Sequence, residues 1–209
     1  MAKQPGYDAL AVLYDETFPT GYSSPVERHA VELFAEAVID LGPVGPVIDV
    51  GCGTGHQAQH LASRGIEVIG VDPSSGMLER ARQRFPALHL VQDDASLGEV
   101  AADAFAGVLA RYSLIHVPPD RLEAIVSSWA DRLQPGGVVL TAFQALEPGA
   151  PALVEEFDHV VAPAWRWAPD AMAATLARAG LIERWRIITQ PSVGYHRFPD
   201  CHVLHTLAR

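Results

Sequence analysis

The chain has 209 residues, 49% apolar and 19% charged, with a formal net charge of −10. That length and balance suit one globular domain with a substantial core and exclude a disordered chain. The acidic surplus argues against a nucleic-acid partner, because phosphate neutralisation needs clustered Lys and Arg.

The densest basic stretch, ERARQRF (79–85), reads as a solvated helix face. The two cysteines, Cys52 and Cys201, make no disulfide framework and no metal-ligand spacing, so no metal is expected. The opening MAKQPGYDALAVLYDE has no apolar run of signal-peptide type, and no segment approaches the roughly 18 apolar residues of a membrane span. A cytoplasmic setting without membrane contact is the expectation.

In chain order, SSPVERHAVELFAEAVIDLG (23–42) comes first. Ser24, Pro25 and Glu27 form a capping-box arrangement with proline at the first helical position, and Gly42 ends the helix. PVIDV (46–50), IEVIGVD (66–72), ALHLVQ (87–92), FAGVLA (105–110) and GVVLTAF (137–143) each read as a buried strand. Between them lie the amphipathic stretches HQAQHLASRG, SSGMLERARQRF, a short SLGEVAAD, and PDRLEAIVSSWADRL. The last puts Leu122, Ile125, Val126, Trp129 and Leu133 on one helical face before QPGG stops it. Such alternation predicts an α/β fold with a parallel sheet covered by helices on both faces.

The two ends of the chain depart from that rhythm. PDAMAATLARAG (169–180) reads as a helix stopped by Gly180. LIERWRIITQ (181–190) and CHVLHTLAR (201–209) follow as strands whose short connection, PSVGYHRFPD, suits an antiparallel pair. Residues 144–168 carry no clear period and read as a lid or substrate loop.

Glycines crowd after the first strand, in VIDVGCGTGHQAQHL (47–61). Strand, glycines and helix together bind a nucleotide-like ligand: the backbone can approach closely and the helix offers unpaired N–H groups. Gly51, Gly53 and Gly55 are spaced GxGxG, not the GxGxxG of dinucleotide sites, and Asp49 precedes them. Asp72 closes the second strand roughly 20 residues on, where a carboxylate meets ribose hydroxyls. Asp93 and Asp94 follow the third strand. In a parallel sheet these tips lie side by side, so one ligand touches all three.

Across nearly its whole length the chain resembles the class I S-adenosylmethionine-dependent methyltransferases. VIDVGCGTG resembles that family's first motif, GVDPSSGML its second, QDDASL its third and FAGVLARYSLIHV its fourth. The reversed terminal hairpin matches the family's departure from dinucleotide-binding domains. The resemblance is strongest to small single-domain enzymes of the ubiquinone-biosynthesis type, whose N-terminal helices cover the site.

It implies a Rossmann-like, seven-stranded, mostly parallel sheet in a single domain over 1–209. A helical cap would span 1–45, the cofactor-binding core 46–143, the lid 144–168, and the last helix and hairpin 169–209. The implied cofactor is S-adenosylmethionine, with S-adenosylhomocysteine as product. Its methionine portion would lie on Gly51, Gly53 and Gly55 with Asp49 near the ammonium. Asp72 and Pro73 would meet the ribose and Met77 the adenine. Asp94 aligns better than Asp93 with the acid that accepts the adenine amino hydrogen, with Ala95 giving a backbone contact. Arg111 would line the cofactor.

The family has no universal catalytic residue, because the sulfonium methyl is already activated and transfer rests on alignment and exclusion of water. His116, on the loop after the fourth strand, is the candidate base. Tyr14 and, less strongly, Tyr7 resemble tyrosines that some relatives fold over the cofactor. His29 reads as surface or packing, and Cys52 as inert. In APAWRWAP (162–169), Trp165 and Trp167 flank Arg166, either as an aromatic wall for an anionic or planar molecule or as core under the loop. The expected function is methyl transfer to a small molecule by a monomer or homodimer. A nicotinamide-dependent oxidoreductase and a non-catalytic nucleoside-binding module are the alternatives.

Overall fold

In the computed structural model, which describes residues 6–42, 44–191 and 197–208, the expected strands join one seven-stranded sheet. The strands are β1 (Val47–Val50), β2 (Val68–Asp72), β3 (His89–Gln92), β4 (Phe105–Arg111), β5 (Leu133–Gln144), β8 (Leu181–Thr189) and β9 (Asp200–Leu207). Their order is β3-β2-β1-β4-β5-β9-β8. The first five are parallel, and β9 runs antiparallel to both β5 and β8. The reversed hairpin is therefore present, although much of the loop joining its strands (192–196) lies outside the described residues.

Among the described residues six α-helices accompany the sheet: α1 (Gly6–Thr17), α2 (Pro25–Leu41), α3 (His56–Ser63), α4 (Ser75–Arg84), α5 (Pro119–Ala130) and α6 (Pro169–Arg178). Helix α2 begins as its sequence dictates. Ser24 Oγ accepts the Glu27 amide at 3.3 Å, and Gly42 ends the helix in the left-handed region at φ +70°. One side of the sheet buries Phe34 and Val38 of α2 and Leu61 of α3 against Val47, Leu109 and Leu140. The other buries Trp129 of α5 and Leu176 of α6 against Ile48, Val108 and Phe143. β1 and β2 are buried along their whole length, as strands covered on both faces must be.

Four expectations give way to tertiary context. α5 ends at Ala130, so Leu133 and the QPGG read as the helix stop lie in β5. β3 is not a buried strand: it stands at the sheet edge, bonded only to β2, and its ends are exposed. SLGEVAAD forms no helix, because Arg132 reaches in and donates to the carbonyls of Leu97, Val100 and Ala102 at 2.9, 2.6 and 2.6 Å. Those carbonyls need no helical partner. The span 144–168 is not an unstructured loop either. It holds a small antiparallel sheet, β6 (Val154–Phe157) with β7 (Ala164–Trp167).

Candidate active site

The chain runs outward from β1 through β2 and β3, then returns to place β4 on the other side of β1. At such a reversal the strand ends part and leave a crevice. A cavity of about 820 Å³ opens there.

Gly51 and Gly53 line it, at φ +72° and +55°. The Gly51 and Cys52 amides both donate to Val71 O, at 2.7 and 2.9 Å, and fold the loop back over the tip of β2. The Gly53 amide donates to Asp72 Oδ2 at 2.9 Å and the Ser74 amide to Oδ1 at 2.8 Å. Gly55 does not reach the cavity. It caps α3 at φ +82°, where a Cβ would sit 3.1 Å from Leu88 and 3.2 Å from Ala81. Its glycine serves the turn and close packing on α4.

Asp49 is 3% exposed, and its Oδ2 has no hydrogen-bond partner among the described residues. Burial pushes its carboxyl up to about 7, with Arg111 opposing and Asp72 adding to the rise. Burial also holds Asp72 above the usual carboxylate range, against the Ser74 and Gly53 amides. Pro73, Met77, Asp94 and Ala95 line the same cavity. Asp93 uses both carboxylate oxygens on the loop itself, accepting from the Asp94 and Glu99 amides at 2.7 Å each. Asp94 accepts from Ser96 through Oδ1.

Helix α1 closes the cavity from above. Asp8 accepts from the Gly76 amide and Ser74 Oγ at 2.8 Å, and Asp15 pairs with Arg80 and Arg84 at 3.0 and 2.7 Å. Pinned in this way, α1 carries Tyr7 and Tyr14 to the cavity wall. Tyr7 is bonded to His116 Nε2 at 2.8 Å, and His116 Nδ1 to the carbonyl of Pro163 at 2.8 Å. A carbonyl only accepts, so Nδ1 carries the proton and Nε2 accepts from the tyrosine. Burial holds His116 below the ordinary histidine value, so the neutral ring prevails at neutral pH. His159 packs edge-on against it at 4.9 Å and is pushed down to about 4 by burial and then by His116.

Arg111 lines the cavity, but Glu27 matches its charge at 2.7 Å with both side chains almost wholly buried. Trp165, Arg166 and Trp167 do not line it. Trp167 is 5% exposed within the core, Trp165 packs beside that core, and Arg166 pairs with Glu155 at 3.2 Å. The core reading of that motif holds, and the cavity wall is built by 157–162 instead. His29 is exposed on α2, and Cys52 is buried with its thiol pushed up by burial.

Sequence reasoning missed Glu27, Tyr112, Gln144 and Asp200 as cavity residues. Glu27 was visible only as a capping acid. Tyr112 has a positive φ, +53°, unusual for a side-chain-bearing residue and often a mark of function. Gln144 and Asp200 become neighbours only when β9 pairs with β5.

Among the described residues no helix is long and apolar enough to cross a membrane, and no cluster of His, Cys, Asp and Glu is arranged for a metal.

A glycine loop after β1, acids at the tips of β1 and β2, and a reversed terminal hairpin define a Rossmann-like nucleoside site of the methyltransferase kind. Residues 47–137 match the family described as methyltransferase domain. An uncharacterized methyltransferase of Oceanobacillus iheyensis is 26% identical over 147 residues, covering 68% of each chain. One of Alkaliphilus oremlandii is 31% identical over 116 residues, and there the chain spans about half (53%) of the relative's length. Magnesium protoporphyrin IX methyltransferase of Synechocystis, solved with bound S-adenosylhomocysteine, superposes with a TM-score of 0.69 at 17% identity, covering 97% of this chain and 96% of that one. The chain is therefore similar to the S-adenosylmethionine-dependent methyltransferases, in sequence over residues 47–137 and in fold over nearly its whole length.

Proposed function

We propose that the protein transfers a methyl group from S-adenosylmethionine to a small-molecule acceptor held between the cofactor and the Tyr7–His116 pair. The observation that carries this reading is the orphaned Asp49 Oδ2, buried beside a glycine loop whose cavity continues to His116. A buried carboxylate oxygen without a donor fits an ammonium group. Asp72 suits the ribose hydroxyls, because each oxygen holds one amide and has a second lone pair to offer. Met77 and Pro73 suit a flat adenine, and Asp94 is favoured over Asp93 for the adenine amino group because Asp93 is occupied by loop amides.

When bound, the cofactor supplies an activated methyl on a sulfonium centre. The protein's own part is to align the acceptor, exclude water and take a proton. α1 and 157–162 enclose the reacting end, and His116 Nε2 takes the acceptor's proton by way of the Tyr7 hydroxyl. That a structural relative carries the name of a porphyrin methyltransferase supports a small-molecule acceptor.

Calorimetry with S-adenosylmethionine and with NAD tests the cofactor reading, with binding of the former alone expected. A small-molecule library scored by S-adenosylhomocysteine release tests the reaction. Turnover confined to protein or nucleic-acid acceptors would overturn the small-molecule reading.

A further inference from the structure

Beyond the reacting pair, the cavity wall carries a continuous run of rings that methyl transfer does not by itself require. Tyr7, on α1, meets His116 with ring centroids 5.4 Å apart. His116 meets His159 at 4.9 Å, His159 meets Phe157 at 5.7 Å, and Phe157 meets Phe198 at 5.4 Å. The interplanar angles run from 75° to 87°, so each ring stands edge to face with the next. All five line the cavity. They come from four segments far apart in sequence: α1, the loop after β4, the end and turn of β6, and the stretch before β9.

These rings are not core. The large aromatics of the interior, Phe34, Phe105, Phe143 and Trp129, are wholly buried. The five rings of the run are only half-buried, and they keep open surface at the cavity. The wall is also held in place. The Gly6 amide donates to Val161 O at 3.0 Å and ties α1 to the β6–β7 turn. The guanidinium carbons of Arg166 and Arg197 lie 4.1 and 4.7 Å from the centroid of the Phe198 ring. Arg166 is paired with Glu155 at 3.2 Å and Arg197 with Asp158 at 2.6 Å.

With both guanidiniums paired and both imidazoles neutral at neutral pH, the run presents no net charge. It offers ring faces and ring edges fixed in orientation. A flat ring is the complement of such a surface, because stacking and edge-to-face contact favour it beyond the area it buries. A puckered aliphatic body of the same size buries similar area and gains none of that increment.

We propose that the run Tyr7–His116–His159–Phe157–Phe198 is the acceptor-recognition wall, and that the acceptor is a planar aromatic or heteroaromatic small molecule recognised by its flat face. This rests on the methyl-transfer reading above. Phe157, His159 and Phe198 hold the ring system, and Tyr7 and His116 stand where its nucleophilic substituent is methylated. Phe157, His159 and Phe198 take no part in proton transfer and serve to bind and orient.

The test uses the full chain saturated with S-adenosylhomocysteine. The matched probes are 2-naphthol and its saturated counterpart, decahydro-2-naphthol, titrated by saturation-transfer NMR. The flat probe is expected to bind about tenfold more tightly. Phe157→Leu and Phe198→Leu should each weaken naphthol binding about two- to tenfold and leave the saturated probe unaffected, because leucine keeps the apolar bulk and loses the ring. Unchanged S-adenosylhomocysteine affinity in both variants is the check on folding. Equal or tighter binding of the saturated probe, binding of neither probe, or variants that leave naphthol unaffected or weaken both probes alike overturn the assignment. Turnover confined to aliphatic acceptors, with intact S-adenosylmethionine binding, would remove the planar acceptor and leave methyl transfer standing. Absence of S-adenosylmethionine binding would remove both.

Discussion

Tyr7 and His116, 109 residues apart in sequence, share a 2.8 Å hydrogen bond at the reacting end of the cavity. The bond joins the N-terminal helix to the loop after β4, so the candidate base is complete only when α1 is docked. With Nδ1 held by Pro163, the imidazole presents a fixed tautomer and a single accepting nitrogen.

Replacing His116 with Ala should lower kcat about 10²- to 10⁴-fold, the usual span for a general base, with S-adenosylmethionine affinity unchanged. Tyr7→Phe should cost less and also move the pH profile. The tyrosine donates to the neutral ring and so favours it; without that bond the acid limb of kcat/KM should shift up in pH. Wild-type turnover in His116→Ala, measured as S-adenosylhomocysteine release, would remove the base assignment.

Asp49, at about 7 in the free protein, is partly protonated near neutrality. An ammonium bound beside it favours the carboxylate, so cofactor affinity should rise with pH through about 7 and binding should release protons below it. Calorimetry in two buffers of different ionisation enthalpy reads the released protons. Asp49→Asn should abolish the release and weaken binding by roughly tenfold, as expected for loss of one charge-assisted contact.

Gly51→Ala and Gly53→Ala separate two costs of a side chain in the loop. At Gly51 a Cβ would lie 2.4 Å from Ser113 Cβ, on top of a left-handed φ. At Gly53 it meets nothing within 4 Å. Gly53→Ala should cost about 1–2 kcal/mol from backbone strain alone, and Gly51→Ala more. At roughly 2–4 °C per kcal/mol for a chain of this size, a thermal melt resolves the difference. Equal shifts would show that Ser113 gives way freely.

His205 is fully buried on β9, neither ring nitrogen has a partner among the described residues, and burial pushes it down to about 4. Its folded value lies below its unfolded one, so the unfolded chain binds the extra proton. Stability is therefore complete above about 6.5 and lost as pH falls toward 4, by about 2 kcal/mol at pH 5. Denaturant midpoints at pH 7 and pH 5 measure the drop. In His205→Leu that pH dependence should shrink by the same amount.

Local signals carried most of the architecture. The cap at Ser24, the period of α5 as far as Trp129 and the apolar strands other than β3 each report on neighbours within a few residues, where propensity and burial agree. The terminal hairpin was legible because its connection is short. SLGEVAAD misled because Arg132, some 30 residues on, satisfies its carbonyls. The β6–β7 pair was hidden because a small two-stranded sheet leaves little periodicity in sequence. Trp165 and Trp167 read equally as wall or core, since an aromatic ring serves both and only its surroundings decide.

By itself, the sequence determined the glycine loop, the acids at the strand tips and hence the cofactor class, because those residues act through backbone geometry at fixed spacing along single strands. The tertiary structure alone decided how they are used: Gly55 packs on α4, while Asp93 and Arg111, both at the cavity wall, are held by loop amides and by Glu27. It also brought Tyr7 to His116 and Gln144 to Asp200. Contacts between distant segments depend on strand order and helix docking, and no spacing within one segment encodes them.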